Sequence, residues 1–82
     1  MSQAEVPQSF EELKSRVTQR MANGSVDVKQ DIIEMGDAML QSGVEPKTVQ
    51  DQIAKRLWQA AGQHDKEVLA DLVARMAKEE LQ

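Results

Sequence analysis

Gly43-Val44-Glu45-Pro46-Lys47-Thr48-Val49-Gln50-Asp51-Gln52-Ile53-Ala54-Lys55-Arg56-Leu57-Trp58 holds a helix stop, a rigid corner, a helix start and the chain's only tryptophan. Glycine suits a helix C′ position because it tolerates positive φ. Glu45 precedes proline and is pushed towards extended geometry, as an N-cap residue requires. Pro46 would then be the first helical residue, where its missing N–H is harmless. Thr48 with Asp51 offers a second possible cap; the start at Pro46 is the preferred reading. From there Val49, Ile53, Leu57 and Ala60 repeat at helical spacing. At about 100° per residue they share one side with Ala61, with Ala54 and Trp58 at its rim. Trp58 reads as a core anchor in a small domain with almost no other aromatic. A partner hot spot and a stacking platform are the competing readings.

Upstream, residues 1–8 read as a flexible N-terminal tail and residues 9–82 as a single helical domain. Ser9 stands three residues before Glu12, a capping box. Phe10, Leu13, Val17 and Met21 follow in a stripe about 80° wide, so the first helix is expected to be peripheral. Asn23-Gly24 ends it. Asp27 with Gln30 forms a second capping box at the start of the second helix. There Val28, Ile32, Ile33, Met35, Gly36, Met39 and Leu40 span about 160°, broader than a simple surface helix requires. That helix is central, or it offers part of its face to another molecule. Gly36 inside it costs roughly 1 kcal/mol against alanine, and close approach of a neighbouring helix is the reason to keep it.

Downstream, Ala61-Gly62 ends the third helix, and the fourth begins near His64 or Asp65. Asp65 and Glu67 suit the positive end of its dipole. Val68, Leu69, Leu72, Val73 and Met76 form its apolar face. Arg75 and Lys78 suit its C-terminal end; Glu79 and Glu80 do not, which predicts fraying there. No segment alternates as a strand, and no repeat is evident. The expected fold is all-α, a compact bundle of four short helices.

The 82 residues amount to one domain. A core of this size buries only about 60–65% of the unfolded surface, so stability is modest unless chains associate. Cysteine is absent, which excludes disulfides and thiolate chemistry and fits a reducing cytoplasm. No apolar run is long enough to span a membrane, and the polar start Met-Ser-Gln-Ala-Glu-Val-Pro-Gln has no signal-peptide h-region. The expected location is cytoplasmic. A net charge of −4 argues against phosphate-backbone binding as the main task.

No motif demands chemistry. His64 is the only histidine, and with Asp65 it resembles a base and its orienter, but no nucleophile accompanies it. One histidine without cysteine makes no ordinary zinc site, and the carboxylates lack calcium-loop spacing. No glycine-rich phosphate loop is present. Asp27, Asp31 and Glu34 lie near one another on one helix face and read as a solvated acidic edge. The expectation is therefore a protein without catalytic, metal or cofactor-binding residues.

Two features bear on partners. Met35 and Met39 sit one turn apart, and methionine-rich faces serve adaptable binding surfaces as well as ordinary cores. Three neighbouring helices leave Ile33, Met35, Met39 and Leu40 incompletely covered on this reading, marking a partner surface and a weak homodimer or a heterologous helix partner. The second feature resembles a helix-turn-helix: Met39-Leu40-Gln41-Ser42-Gly43-Val44 followed by Thr48-Val49. Lys47, Thr48, Gln50, Gln52 and Lys55 would then face phosphates and base edges. Pro46 in the turn, Ile53 one position late and the acidic charge all weaken it.

Gly36-Asp37, the Val44-Glu45-Pro46-Lys47 corner, Leu57-Trp58 and Leu69-Ala70 with Met76 resemble a family of short bacterial proteins of unknown function. It is the group containing the YmfJ and YflH proteins of spore-forming, low-GC Gram-positive bacteria. The corner followed by Leu-Trp is the most specific part. This chain departs from the family at Leu13, where a tryptophan is frequent, and at Thr48, where asparagine is common. The resemblance implies a small cytoplasmic helical protein and carries no activity or site with it. The function expected is a non-enzymatic protein-interaction module, with a small DNA-binding regulator as the alternative.

Overall fold

Ser9 is extended, and its Oγ accepts the Glu12 N–H at 3.0 Å, so α1 (Phe10–Ala22) starts at the expected cap. The Glu12 carboxylate reaches back one residue further than in a simple capping box, accepting the Gln8 N–H at 3.2 Å. The computed structural model describes residues 6–24 and 27–81. Residues 1–5 of the expected tail lie outside the described residues, but Pro7 is fully buried. The tail therefore does not extend to Gln8. Gly24, at φ 98°, follows the Asn23 cap and ends α1 as its position predicts.

α2 (Lys29–Gln41) does not start at a capping box. Its N-cap is Val28, in helical geometry and without a side-chain cap, while Asp27 is exposed. Burial of Val28 in the core takes the place of a polar cap in fixing the entry of this helix. Gly43, at φ 68°, closes α2: its N–H donates to the Leu40 carbonyl at 3.2 Å and the Val44 N–H to that of Met39 at 3.1 Å. This pair of bonds is a Schellman stop.

α3 (Val49–Ala60) starts at Thr48 and not at Pro46. Thr48 is extended and its Oγ1 accepts the Asp51 N–H at 3.0 Å. The polar side-chain cap prevails over the preorganised proline, and residues 44–47 remain a non-helical corner. α4 (Gln63–Glu80) begins directly after the Gly62 cap, whose N–H is accepted by the Asp65 carboxylate at 3.3 Å. α4 stays helical through Glu80, contrary to the expected fraying. Lys14 bridges Glu80 at 2.8 Å and Glu11 at 2.9 Å, fixing the end of α4 to α1.

The buried apolar cluster consists of Leu13 and Val17 from α1, Val28, Ile32 and Ile33 around α2, and Ala70 and Ala77 from α4. α4 packs on both α1 and α2, and α1 and α2 each touch all three other helices. The sequence placed the α4 core face on Val68, Leu69, Leu72, Val73 and Met76. Instead Ala70 and Ala77 are buried, with Val73 and Ala74 packed beside them. These four fall within about 100° of the helix, with the larger side chains on the adjoining strip. Small residues let α4 lie close to α1 and α2; Val68, Leu72 and Met76 remain exposed.

Trp58 is half-buried and packs against the edge of the core, not at its centre. Its ring lies on Gly36: a Cβ at that position would sit 2.6 Å from Trp58 Cε2. The close approach expected at Gly36 is thus made by an indole ring. Gly36→Ala should destabilise the protein by about 1–3 kcal/mol through overpacking, although alanine is the better helix former. Urea denaturation monitored by circular dichroism measures this; a stabilised variant would contradict the contact.

Candidate functional site

Two carboxylates fix the stance of α3. Asp51 is buried, and its Oδ1 accepts the Phe10 N–H at 3.0 Å while its Oδ2 accepts the Lys47 N–H at 3.2 Å. One side chain thereby caps the first turn of α1 and braces the corner before α3. The Phe10 N–H is the main cause holding the Asp51 carboxyl below its ordinary pKa, against the opposing effect of burial. At the other end, Asp37 Oδ1 accepts from Lys66 Nζ at 2.7 Å and from Trp58 Nε1 at 3.0 Å. Lys66 is the larger cause depressing the Asp37 pKa, with the indole N–H adding to it. Lys66 Nζ also stands 5.4 Å from the centre of the Trp58 ring, a cation–π distance.

These anchors decide which side of α3 faces the body. Asp51, Ala54 and Trp58 lie about 140–200° round the helix from Val49, whereas Ile53 and Leu57 lie within about 80° of it. With the anchors turned inwards, the apolar ridge turns out: Val49 is 71% exposed, Ile53 55% and Leu57 52%. The sequence reading assigned that ridge to the core. The structure reverses it, because the buried hydrogen bonds of Asp51 and the Trp58–Gly36 contact are available only in this rotation.

An open apolar groove of about 570 Å³ results. Val49, Ile53 and Leu57 form one wall, Leu69, Leu72 and Met76 the other, and the floor includes Ile32, Gly36 and Met39. No large charged cluster enters it. Of the partner residues expected on α2, Ile33 is only 6% exposed and is a core residue, unavailable to a partner. Met35 is half-buried against the core. Met39 and Leu40 are half-buried and line the groove. The unpartnered surface therefore lies between α3 and α4, one helix away from the expected ridge.

Of the expected DNA contacts, Lys47, Thr48, Gln50 and Gln52 are exposed and Lys55 is half-buried. Thr48 is engaged as the α3 cap. Residues 42–48 separate α2 from α3, more than the turn of about three or four residues in a helix-turn-helix. His64 is exposed on the first turn of α4, and the neighbouring Asp65 carboxylate is occupied with the Gly62 N–H.

The two anchoring carboxyls set an acid limit. Both have folded pKa values below the unfolded reference of about 3.9. The unfolded chain therefore binds more protons in the interval between the two. Their contribution is complete above about pH 5 and is lost as pH falls through 4 towards the folded values. Asp51→Ala should cost about 1–3 kcal/mol at neutral pH and flatten this acid limb. Thermal melts between pH 2.5 and 7 on both proteins test it; an unchanged acid limb in the variant would exclude Asp51 as its source.

No curated protein and no solved structure matches the chain. A family described as "Protein of unknown function (DUF3243)" matches residues 5–78, from before α1 to near the end of α4. The chain belongs to this DUF3243 family of proteins of unknown function.

Proposed function

We propose that this protein is a non-enzymatic protein-interaction module and that the α3–α4 groove is its docking surface. The carrying observation is the outward ridge of Val49, Ile53 and Leu57 facing Leu72 and Met76 across an open apolar groove. A continuous apolar surface of this kind, held open by the polar anchors of α3, suits an amphipathic helix laid into a groove. The same reading assigns the protein to the cytoplasm, on its lack of cysteine, and to the YmfJ and YflH group, on its Val44–Lys47 corner and Leu57-Trp58 pair.

The DNA-binding alternative draws on the exposed Lys47, Gln50 and Gln52. It is less well supported. The helix that would enter the groove of DNA carries an exposed apolar ridge, and the chain is acidic at −4. Mobility-shift experiments with mixed duplex DNA at low salt are expected to show no salt-sensitive complex.

A photo-crosslinking residue at Leu57 should give discrete protein adducts in cells, whereas one at the exposed Ser15 on α1 should not. Equal, diffuse labelling from both positions would overturn the docking reading.

A further inference from the structure

We propose that the groove is closed by a second copy of this chain, with α3 of each copy seated in the groove of the other about a two-fold axis. This inference rests on the groove being a docking surface, and it names the partner.

The groove needs an apolar helix of about its own length, with contacts spaced three and four residues apart. α3 is such a helix: its 12 residues extend about 18 Å, and Val49, Ile53 and Leu57 form one ridge. The same side chains that wall one groove are thus shaped to fill another. A two-fold axis covers both in one step, because an isologous interface pairs a surface with itself. It leaves no α3 ridge exposed and no groove open.

Charge favours seating α3 of one copy against α4 of the other over a two-fold that pairs α4 with α4. α3 carries Lys55 and Arg56 against Asp51, whose charge is already engaged inside the fold. α4 carries Asp65, Glu67, Asp71, Glu79 and Glu80 against Lys66, Arg75 and Lys78, a net of −2. α3 of one copy against α4 of the other brings opposite signs together; α4 against α4 would bring like signs together.

Sedimentation equilibrium of the full chain from micromolar to millimolar concentration is expected to show a monomer–dimer equilibrium. Ile53→Glu places a charge on an already exposed position, so the helical circular dichroism spectrum should persist while dimerisation weakens at least tenfold. Ser15→Glu should leave it unchanged. Isotope-edited NMR on a mixture of differently labelled copies should show contacts from Ile53 and Leu57 methyls of one copy to Leu72 and Met76 of the other. A monomeric mass at the highest concentration would overturn the inference. So would a dimer indifferent to Ile53→Glu, or one whose intermolecular contacts lie elsewhere. The groove as a docking surface is judged separately, by the Leu57 adducts in cells. Adducts to other proteins with a strictly monomeric pure chain would sink the second-copy inference and keep the docking reading; absence of all adducts would sink both.

Discussion

The rotation of α3 depends on the contact between the Trp58 ring and Gly36. With no side chain at position 36, the indole packs against α2 and presents its N–H to Asp37, one residue further on. Lys66 then neutralises that carboxylate from α4. Three helices meet at this point through one aromatic ring, one carboxylate and one amine. Together with the Asp51 anchor at the opposite end of α3, this junction turns the aliphatic ridge outwards. Burial of Val49, Ile53 and Leu57 would favour the reverse rotation. It would also strand Asp51 away from the two backbone N–H groups that it serves. An unsatisfied buried N–H or carboxylate is expensive enough to oppose several apolar contacts.

The sequence made the element types legible and left their faces obscure. Ser9 with Glu12, Asn23-Gly24, Gly43 and Ala61-Gly62 marked real boundaries, because each acts through local backbone geometry. Asp27 with Gln30 matched a cap by spacing alone, and burial of Val28 supplied the start of α2 instead. Periodicity located apolar strips on α3 and α4 but could not say which strip meets the body. On α4 the buried strip is made of alanines, whose small size is the signal: they mark where helices approach closely. On α3 the signal was a carboxylate on the same side as the tryptophan, since Asp51, Ala54 and Trp58 share a face. A buried acidic residue has no characteristic spacing, and its partner Phe10 lies 41 residues away in sequence.

The candidate site was legible in kind and misplaced in position. The breadth of the α2 stripe suggested uncovered apolar surface, and apolar surface is uncovered. It lies across Met39 and Leu40 into the space beside α3, while Ile33 is buried in the core cluster. The orientation of α3 was the missing quantity.

The Asp51–Phe10 bond has a consequence for the order of assembly. α2 and α4 are separated by residues 42–62, whereas α1 and α4 are separated by residues 23–62, about twice as far. Each doubling of a closed loop adds about 0.6 kcal/mol of entropy cost, so pairing of α2 with α4 costs less than pairing of α1 with α4. α1 docks onto α4 across the longer of the two closures. Only when it arrives does Asp51 gain the Phe10 N–H, the partner that most strongly favours its charged form. The first helix of the chain is thus a latch, and any opening of α1 loosens the N-terminal end of α3. Undocking of α1, whose Phe10 and Leu13 also line the groove, would be felt as a change in the groove's width.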